Sequence, residues 1–134
     1  MRKYLVLSFL FLLPISSTAQ ENNYFLMLKN KKVNVRYGPS LDHPVKYIYR
    51  KIDLPVKVID KKENFRRIID HKKNSGWIHI SQLRPSRSLI TTNEKILFKN
   101  STKYSKPLAK LDQGRLLKVI KCEKKWCNIK TGDF

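Results

Sequence analysis

Residues 33–40 read VNVRYGPS, a short alternating strand that runs into a Gly-Pro turn. Val33 and Val35 share one face and polar residues share the other, which is typical of a half-buried β-strand. Similar short runs follow at 45–50, 55–59, 65–69 and 76–80, with polar turns at 61–64 and 71–75. Short strands separated by turns at this spacing, with no amphipathic helix among them, predict a small all-β barrel or sandwich.

Four stretches, in this order and spacing, resemble the bacterial SH3-like domain. They are VNVRYGPS at 33–40, LPVKVI at 54–59, NFRRI at 64–68 and GWIH at 76–79. The resemblance implies a five-stranded β-barrel that serves as a non-catalytic targeting or ligand-binding module, often in exported, cell-wall-associated proteins. Two positions depart from the family pattern: Phe65 stands where tryptophan is usual, and Asp53 stands where glycine is common.

The chain also matches itself when it is shifted by 61 residues. The apolar run 54–59 falls on 115–120, the run 64–68 falls on 125–129, and Gly114 falls at the position of Asp53. The counterpart of Gly76-Trp77-Ile78 would fall beyond Phe134. We therefore expect the second copy to lack its closing strand, or to close with another chain or with the strand at 24–29.

These observations predict four segments. They are a signal peptide at 1–19, a bacterial SH3-like domain at 20–84, a linker at 85–93 and a second, incomplete SH3-like repeat at 94–134.

The N-terminus predicts export. Met1-Arg2-Lys3 is positively charged, the apolar run 4–13 follows, and Ser17-Thr18-Ala19 has the small-x-small pattern of a cleavage site. The run is too short to span a bilayer, and no second long apolar run follows. We expect a periplasmic or secreted protein with no transmembrane segment after signal removal.

The charge is strongly positive, with 29 Lys and Arg against 10 Asp and Glu and a net charge of +19. Such a surface attracts polyanions. In the cell envelope the expected partners are a cell-wall peptide or glycan, an envelope protein, or an anionic surface, and nucleic acid ranks below them. Two alternatives stay open: a basic protein that contacts membrane surfaces or nucleic acid electrostatically, and an accessory protein–protein interaction domain.

The two cysteines, Cys122 and Cys127, predict a disulfide, because a close pair in an exported chain is most simply bridged. Their spacing fits neither a Cys-x-x-Cys redox motif nor a complete zinc site. The scattered carboxylates and four glycines carry no acid–base pair and no phosphate loop. We expect a non-enzyme with no cofactor.

Six residues are candidates for ligand binding: Arg36, Tyr37, Pro39, Tyr47, Tyr49 and Trp77. Arg36 either meets a ligand carboxylate or anchors the following loop through its guanidinium donors. The tyrosines have flat faces and polar tips that suit a shallow peptide groove, although one of Tyr47 and Tyr49 fits the core as well. Trp77 is favoured as a core residue over a surface for ligand stacking.

Overall fold

The structure is a computed structural model that describes residues 23–130. This part of the chain forms twelve strands and one 3-10 helix, Ile80–Gln82, and it contains no α-helix, so the predicted all-β fold is confirmed. The strands are β1 (Tyr24–Leu28), β2 (Val33–Arg36), β3 (Val45–Tyr49), β4 (Pro55–Lys62), β5 (Phe65–Ile69), β6 (Ser75–His79), β7 (Leu83–Pro85), β8 (Ser88–Ile90), β9 (Lys95–Phe98), β10 (Pro107–Leu111), β11 (Leu116–Glu123) and β12 (Trp126–Lys130).

The first seven strands form one antiparallel sheet in the order β3-β2-β6-β5-β4-β1-β7. The alternating residues of these strands turn one face to a common core. The core consists of Leu28, Val33, Val35, Leu54, Val56, Val58, Ile68, Ile78 and Leu83. Strand β1 pairs with β4 and β7 within this sheet, so it does not close the second repeat.

Gly76 allows β6 to lie directly over the core. A Cβ atom at this position would stand 2.3 Å from Val35 Cγ1 and 3.1 Å from the carbonyl oxygen of Arg36. Any larger residue would therefore push β6 away from β2. The Gly-Trp pattern thus lies in β6, the strand that pairs with β2 on one side and with β5 on the other.

Strands β8 to β12 form a second unit made of two smaller sheets, β10-β9 and β12-β11-β8. The β11–β12 hairpin repeats the β4–β5 hairpin 61 residues later, with the same register and the same irregularity, at Ile59 in one and Ile120 in the other. The domain boundaries expected from the sequence remain a prediction.

The second unit has a thin core. Among residues 86–130, the buried hydrophobic side chains are Leu111 and Leu117. The predicted disulfide between Cys122 and Cys127 joins β11 to β12. This covalent bond holds a hairpin that apolar burial supports only weakly.

Asp53 connects the two units. Its backbone oxygen accepts a hydrogen bond of 2.6 Å from the Ser88 hydroxyl. Its carboxylate pairs with Arg84 and, at 3.5 Å, with Lys118 of β11. The buried carboxylate is thus neutralised from both units.

The predicted signal peptide at 1–19 lies outside the described residues. Within 23–130, no helix has the length and apolar character needed to cross a bilayer.

Candidate functional site

A groove of about 270 Å³ opens on the outer side of the first sheet. Its lining residues come from β2, β3, β5 and β6 and from the turn after β2: Arg36, Tyr37, Lys46, Arg67, Ser75, Gly76 and Trp77. The fold brings three of the six predicted residues, Arg36, Tyr37 and Trp77, together here. The groove is shallow and open, which suits an extended ligand better than a small enclosed one.

The centre of the groove is a row of three side chains on neighbouring strands. Trp77 of β6 stands opposite Arg36 of β2 on one side and opposite Arg67 of β5 on the other. Residues directly opposite each other in antiparallel strands lie on the same face of the sheet. A half-buried indole is therefore placed between two guanidinium groups.

Arg36 anchors the loop that follows it. Its Nη1 donates hydrogen bonds to the carbonyl oxygens of His43, at 2.8 Å, and Leu41, at 3.3 Å. The anchoring role expected for this arginine is therefore present in the fold. Because a guanidinium carries five N–H donors, the same side chain can hold the loop and still face the groove.

The loop itself is closed by His43. A Cβ atom on Gly38 would stand 2.3 Å from the His43 ring, and His43 Nδ1 lies 2.7 Å from the Ser40 hydroxyl. The Gly-Pro-Ser sequence therefore shapes the rim of the groove. Pro39 belongs to this loop and is not among the lining residues.

Tyr37 and Lys46 form the outer wall. Tyr37 is 63% exposed, and the ammonium group of Lys46 lies 5.6 Å from the centre of its ring. Lys46 Nζ also donates a hydrogen bond of 3.0 Å to the carbonyl oxygen of Ser75 in β6. The lysine thus joins β3 to β6 and brings a positive charge to the edge of an exposed aromatic face.

The electrostatic character of the groove is cationic. Arg36, Lys46 and Arg67 contribute positive charge, and none of the lining residues is acidic. Within residues 23–130, no salt bridge engages these three side chains. The arrangement is suited to a ligand carboxylate or phosphate next to a flat apolar group.

Tyr47 and Tyr49 lie elsewhere, on the face of β3 that packs against the core. Their rings meet edge to face at 5.2 Å, their hydroxyls lie 3.2 Å apart, and Tyr49 donates a hydrogen bond of 2.8 Å to the Asp70 carboxylate. Burial raises the pKa of both tyrosines, and for Tyr49 the contacts with Tyr47 and Asp70 raise it further. The two tyrosines thus belong to a hydrogen-bond network on the core side of the sheet, and they do not line the groove.

Asp70 is the centre of that network. Burial acts to raise the pKa of its carboxyl group, but hydrogen bonds from Asn74, Tyr49 and the Lys72 backbone outweigh this and hold the pKa below its usual range. These donors approach within 3.0 Å. The ionised carboxylate therefore stabilises the turn between β5 and β6.

Comparison with known families agrees with this geometry. A family model of the bacterial SH3 domain matches residues 29–85, a range that contains every residue of the groove. The bacterial SH3-like domain that the sequence resembles is therefore confirmed over these residues. The SH3-like fold expected from the sequence is confirmed.

No curated protein matches the chain. Among solved structures, NlpC1 from Trichomonas vaginalis is similar at 11% identity and a TM-score of 0.41, over 77% of this chain and 38% of that one. The chain thus spans well under half of the length of that protein.

Sequence reasoning missed four groove residues of the SH3-like domain: Ser75, Gly76 and the two cations Lys46 and Arg67. Lys46 and Arg67 are polar positions next to core-facing residues of their strands, a pattern that is common on any solvated sheet face. Their joint position depends on the register between β5 and β6 and on the reach of Lys46 to Ser75. Strand alternation predicts that Lys46 and Arg67 face outward, but it does not distinguish them from the other outward-facing polar residues of the sheet.

The second unit carries another groove, of about 420 Å³, lined by Ser101, Thr102, Lys103, Tyr104, Lys125 and Trp126. Tyr104 is 89% exposed and Trp126 is half-buried. Across 23–130, the histidines, cysteines and carboxylates form no group of three or more that could hold a metal ion.

Proposed function

We propose that the SH3-like domain is a non-catalytic binding module of the cell envelope, and that it docks a carboxylate-bearing cell-wall peptide in the cationic groove. The observation that carries this proposal is the row of Arg36, Trp77 and Arg67 across three strands, extended by Lys46 and Tyr37. Domains of this family generally bind ligands and do not catalyse reactions.

The chemistry of the groove favours a peptide with free carboxylates. Guanidinium groups bind carboxylates with paired, charge-assisted hydrogen bonds. Tyr37 and Trp77 offer flat surfaces to the apolar parts of a peptide backbone or side chain. Stem peptides of the cell wall combine both features, and a glycan alone would leave the cations unused.

Two further observations support an envelope location. The first 19 residues have the charge, apolar run and cleavage site of a signal peptide. Cys122 and Cys127 form a disulfide, which persists in oxidising compartments. The net charge of +19 would raise the rate of encounter with an anionic wall.

The test is co-sedimentation of the purified protein with purified peptidoglycan over a salt series. We expect Arg67→Gln, which loses a charge-assisted contact, and Tyr37→Ala, which loses an aromatic contact surface, to weaken binding about tenfold each. Lys61→Gln removes the same charge from an exposed site outside the groove, and Tyr24→Ala removes an exposed tyrosine from β1. Both control variants should bind as the unchanged protein does.

The second candidate function is purely electrostatic contact with a polyanion, which the net charge of +19 favours. It predicts equal losses for Arg67→Gln and Lys61→Gln, no effect of Tyr37→Ala, and ready displacement from peptidoglycan by duplex DNA as salt rises. That set of results would reject the groove as the binding site.

A further inference from the structure

Ser75 is the first residue of β6 and lines the cationic groove. Its side chain lies on the same face of the strand as that of Trp77, two residues later. The hydroxyl oxygen of Ser75 is buried, and no group within residues 23–130 forms a hydrogen bond with it. A buried hydroxyl without a partner destabilises a fold and is therefore rare. The groove thus holds a hydroxyl group that the fold itself does not use.

The backbone carbonyl of Ser75 is bound by a side-chain donor. Within residues 23–130, the pairing of β2 with β6 is confined to Arg36 and Trp77. The next N–H along the chain, that of Tyr37, donates at 3.2 Å to a carbonyl of the loop that follows β2. The donor to the Ser75 carbonyl is instead the ammonium group of Lys46, at 3.0 Å. A flexible lysine therefore stands where a neighbouring strand would supply a fixed N–H.

Lys46 can be drawn away by an anion. Its side chain is exposed, and in the described part of the chain it makes no salt bridge. Its contacts are with the neutral Ser75 carbonyl and with the face of the Tyr37 ring. A carboxylate carries a full negative charge, so it competes with both for the ammonium group. A carboxylate in the groove therefore frees the Ser75 carbonyl to accept from another donor of the same ligand.

The distances fit a carboxylate and an N–H on one carbon atom. A carboxylate oxygen bonded to Lys46 at about 2.8 Å stands within about 6 Å of the Ser75 carbonyl oxygen. In the last residue of a peptide, the carboxylate and the amide nitrogen share one carbon and lie about 3 Å apart. The N–H then reaches the Ser75 carbonyl at about 2.9 Å. A glutamate side chain adds flexible bonds between the two groups, and ordering them costs entropy.

We propose, as a refinement that rests on the proposed function, that the groove recognises the free C-terminal residue of a peptide. Lys46 and Arg67 bind its α-carboxylate, and the Ser75 carbonyl accepts from its amide N–H. The Ser75 hydroxyl turns about its single side-chain torsion and donates to the same carboxylate. Capture of a terminal carboxylate is a recurring mode of peptide recognition. Tyr37 and Trp77 offer flat surfaces to the apolar part of the terminal residues.

The experiment is an NMR titration of the purified chain. The indole N–H signal of Trp77 measures the affinity, and that of Trp126, the other tryptophan, is the reference outside the groove. The probe is acetylated tetra-alanine with a free carboxylate. The first comparison peptide ends in a carboxamide, and the second has an ester oxygen in place of the last amide N–H. The third ends in a carboxamide and carries its carboxylate on a glutamate side chain.

The free acid should bind most tightly of the four peptides. We expect the carboxamide to bind about tenfold more weakly, because it lacks the charge that Lys46 and Arg67 meet. The ester should bind about fivefold more weakly, because it lacks the donor to the Ser75 carbonyl. The glutamate peptide should bind about fivefold more weakly as well, because its carboxylate is not fixed beside an N–H.

A serine variant separates a binding role from a structural one. Ser75→Ala removes a hydroxyl that has no partner within residues 23–130, so the midpoint of urea unfolding should be unchanged or higher. Its affinity for the free acid should fall about fivefold, and its affinity for the carboxamide should stay the same. Ser81→Ala is the matched control, because the Ser81 hydroxyl lies outside the groove, 2.8 Å from His79 Nδ1. It should bind all four peptides as the unchanged protein does.

Several results would overturn C-terminal recognition. They are equal affinities for the free acid and the ester, equal affinities for the free acid and the glutamate peptide, and no shift of the Trp77 signal with any peptide. Unchanged binding or a loss of stability in Ser75→Ala would overturn the role of its hydroxyl. Peptidoglycan co-sedimentation of Arg67→Gln distinguishes the two proposals. If that variant still sediments less, the groove remains the binding site and C-terminal recognition alone is wrong, whereas undiminished sedimentation would reject both.

Discussion

Asp53 and Gly114 stand 61 residues apart, and both adopt a left-handed backbone, with φ of 65° and 80°. The next pair at the same spacing, Glu63 and Lys124, does so as well, with φ of 49° and 55°. Glycine adopts this conformation without steric cost, and aspartate adopts it more readily than most residues. The two units therefore share the turns as well as the strands, and the first unit places a carboxylate where the second has only backbone.

The first prediction concerns Asp53. Asp53→Ala and Asp53→Gly both lose the contacts to Arg84 and Lys118, but only alanine keeps a Cβ at a positive φ. We expect the alanine variant to be less stable than the glycine variant by about 1 kcal/mol in urea unfolding. Equal stability of the two would contradict the left-handed backbone at this residue.

The second prediction tests the close approach of Gly76 to Val35. Gly76→Ala should lower the free energy of unfolding by about 1–3 kcal/mol, because the added Cβ overlaps Val35 Cγ1. In the double variant with Val35→Ala the new methyl group has room, so the combined loss should be smaller than the sum of the single losses. A double-mutant cycle by urea unfolding measures this, and strict additivity would place the strain elsewhere.

The third prediction concerns pH. The carboxyl pKa of Asp70 is lowered in the fold, whereas in the unfolded chain it is about 3.9. The stabilisation from its hydrogen bonds is therefore fully present above about pH 4 and is lost as pH falls through the lower, folded pKa.

Asp70→Asn provides the comparison for this effect. The unchanged protein should be the more stable of the two at neutral pH, and the difference should shrink below about pH 4. Urea unfolding across that range measures it. A difference that stays constant with pH would show that the Asp70 carboxylate does not stabilise the turn through its charge.

The fourth prediction concerns the disulfide. Replacing Cys122 and Cys127 together by serine opens a small loop between β11 and β12 and should destabilise the hairpin by about 2 kcal/mol. Because the second unit buries few apolar side chains, amide exchange should quicken in β11 and β12 and stay slow in β4 and β5. Faster exchange throughout the chain would mean that the two units unfold as one.

Much of the first unit is predictable from local chemistry. Strands and their inward faces are indicated by the alternation at Val33 and Val35, by the Gly-Pro turn and by the Gly-Trp pattern. The structure has strands β2 and β6 at these positions. Tyr47 and Tyr49 show the limit of that reasoning. Alternation places them on one face, but the partner that their hydroxyls reach, Asp70, lies 21 residues beyond Tyr49.

The sequence by itself determined the all-β class, the SH3-like first domain, the disulfide and the repeat of 61 residues, because strand period, turn residues and cysteine spacing act over a few neighbouring positions. Only the tertiary structure decided that Trp77 lies between Arg36 and Arg67, that Lys46 reaches β6, and that β9 and β12 lie in separate sheets within residues 23–130. These features depend on register between strands far apart in the chain. Register is set by the summed packing of whole strands and by the turns that join them.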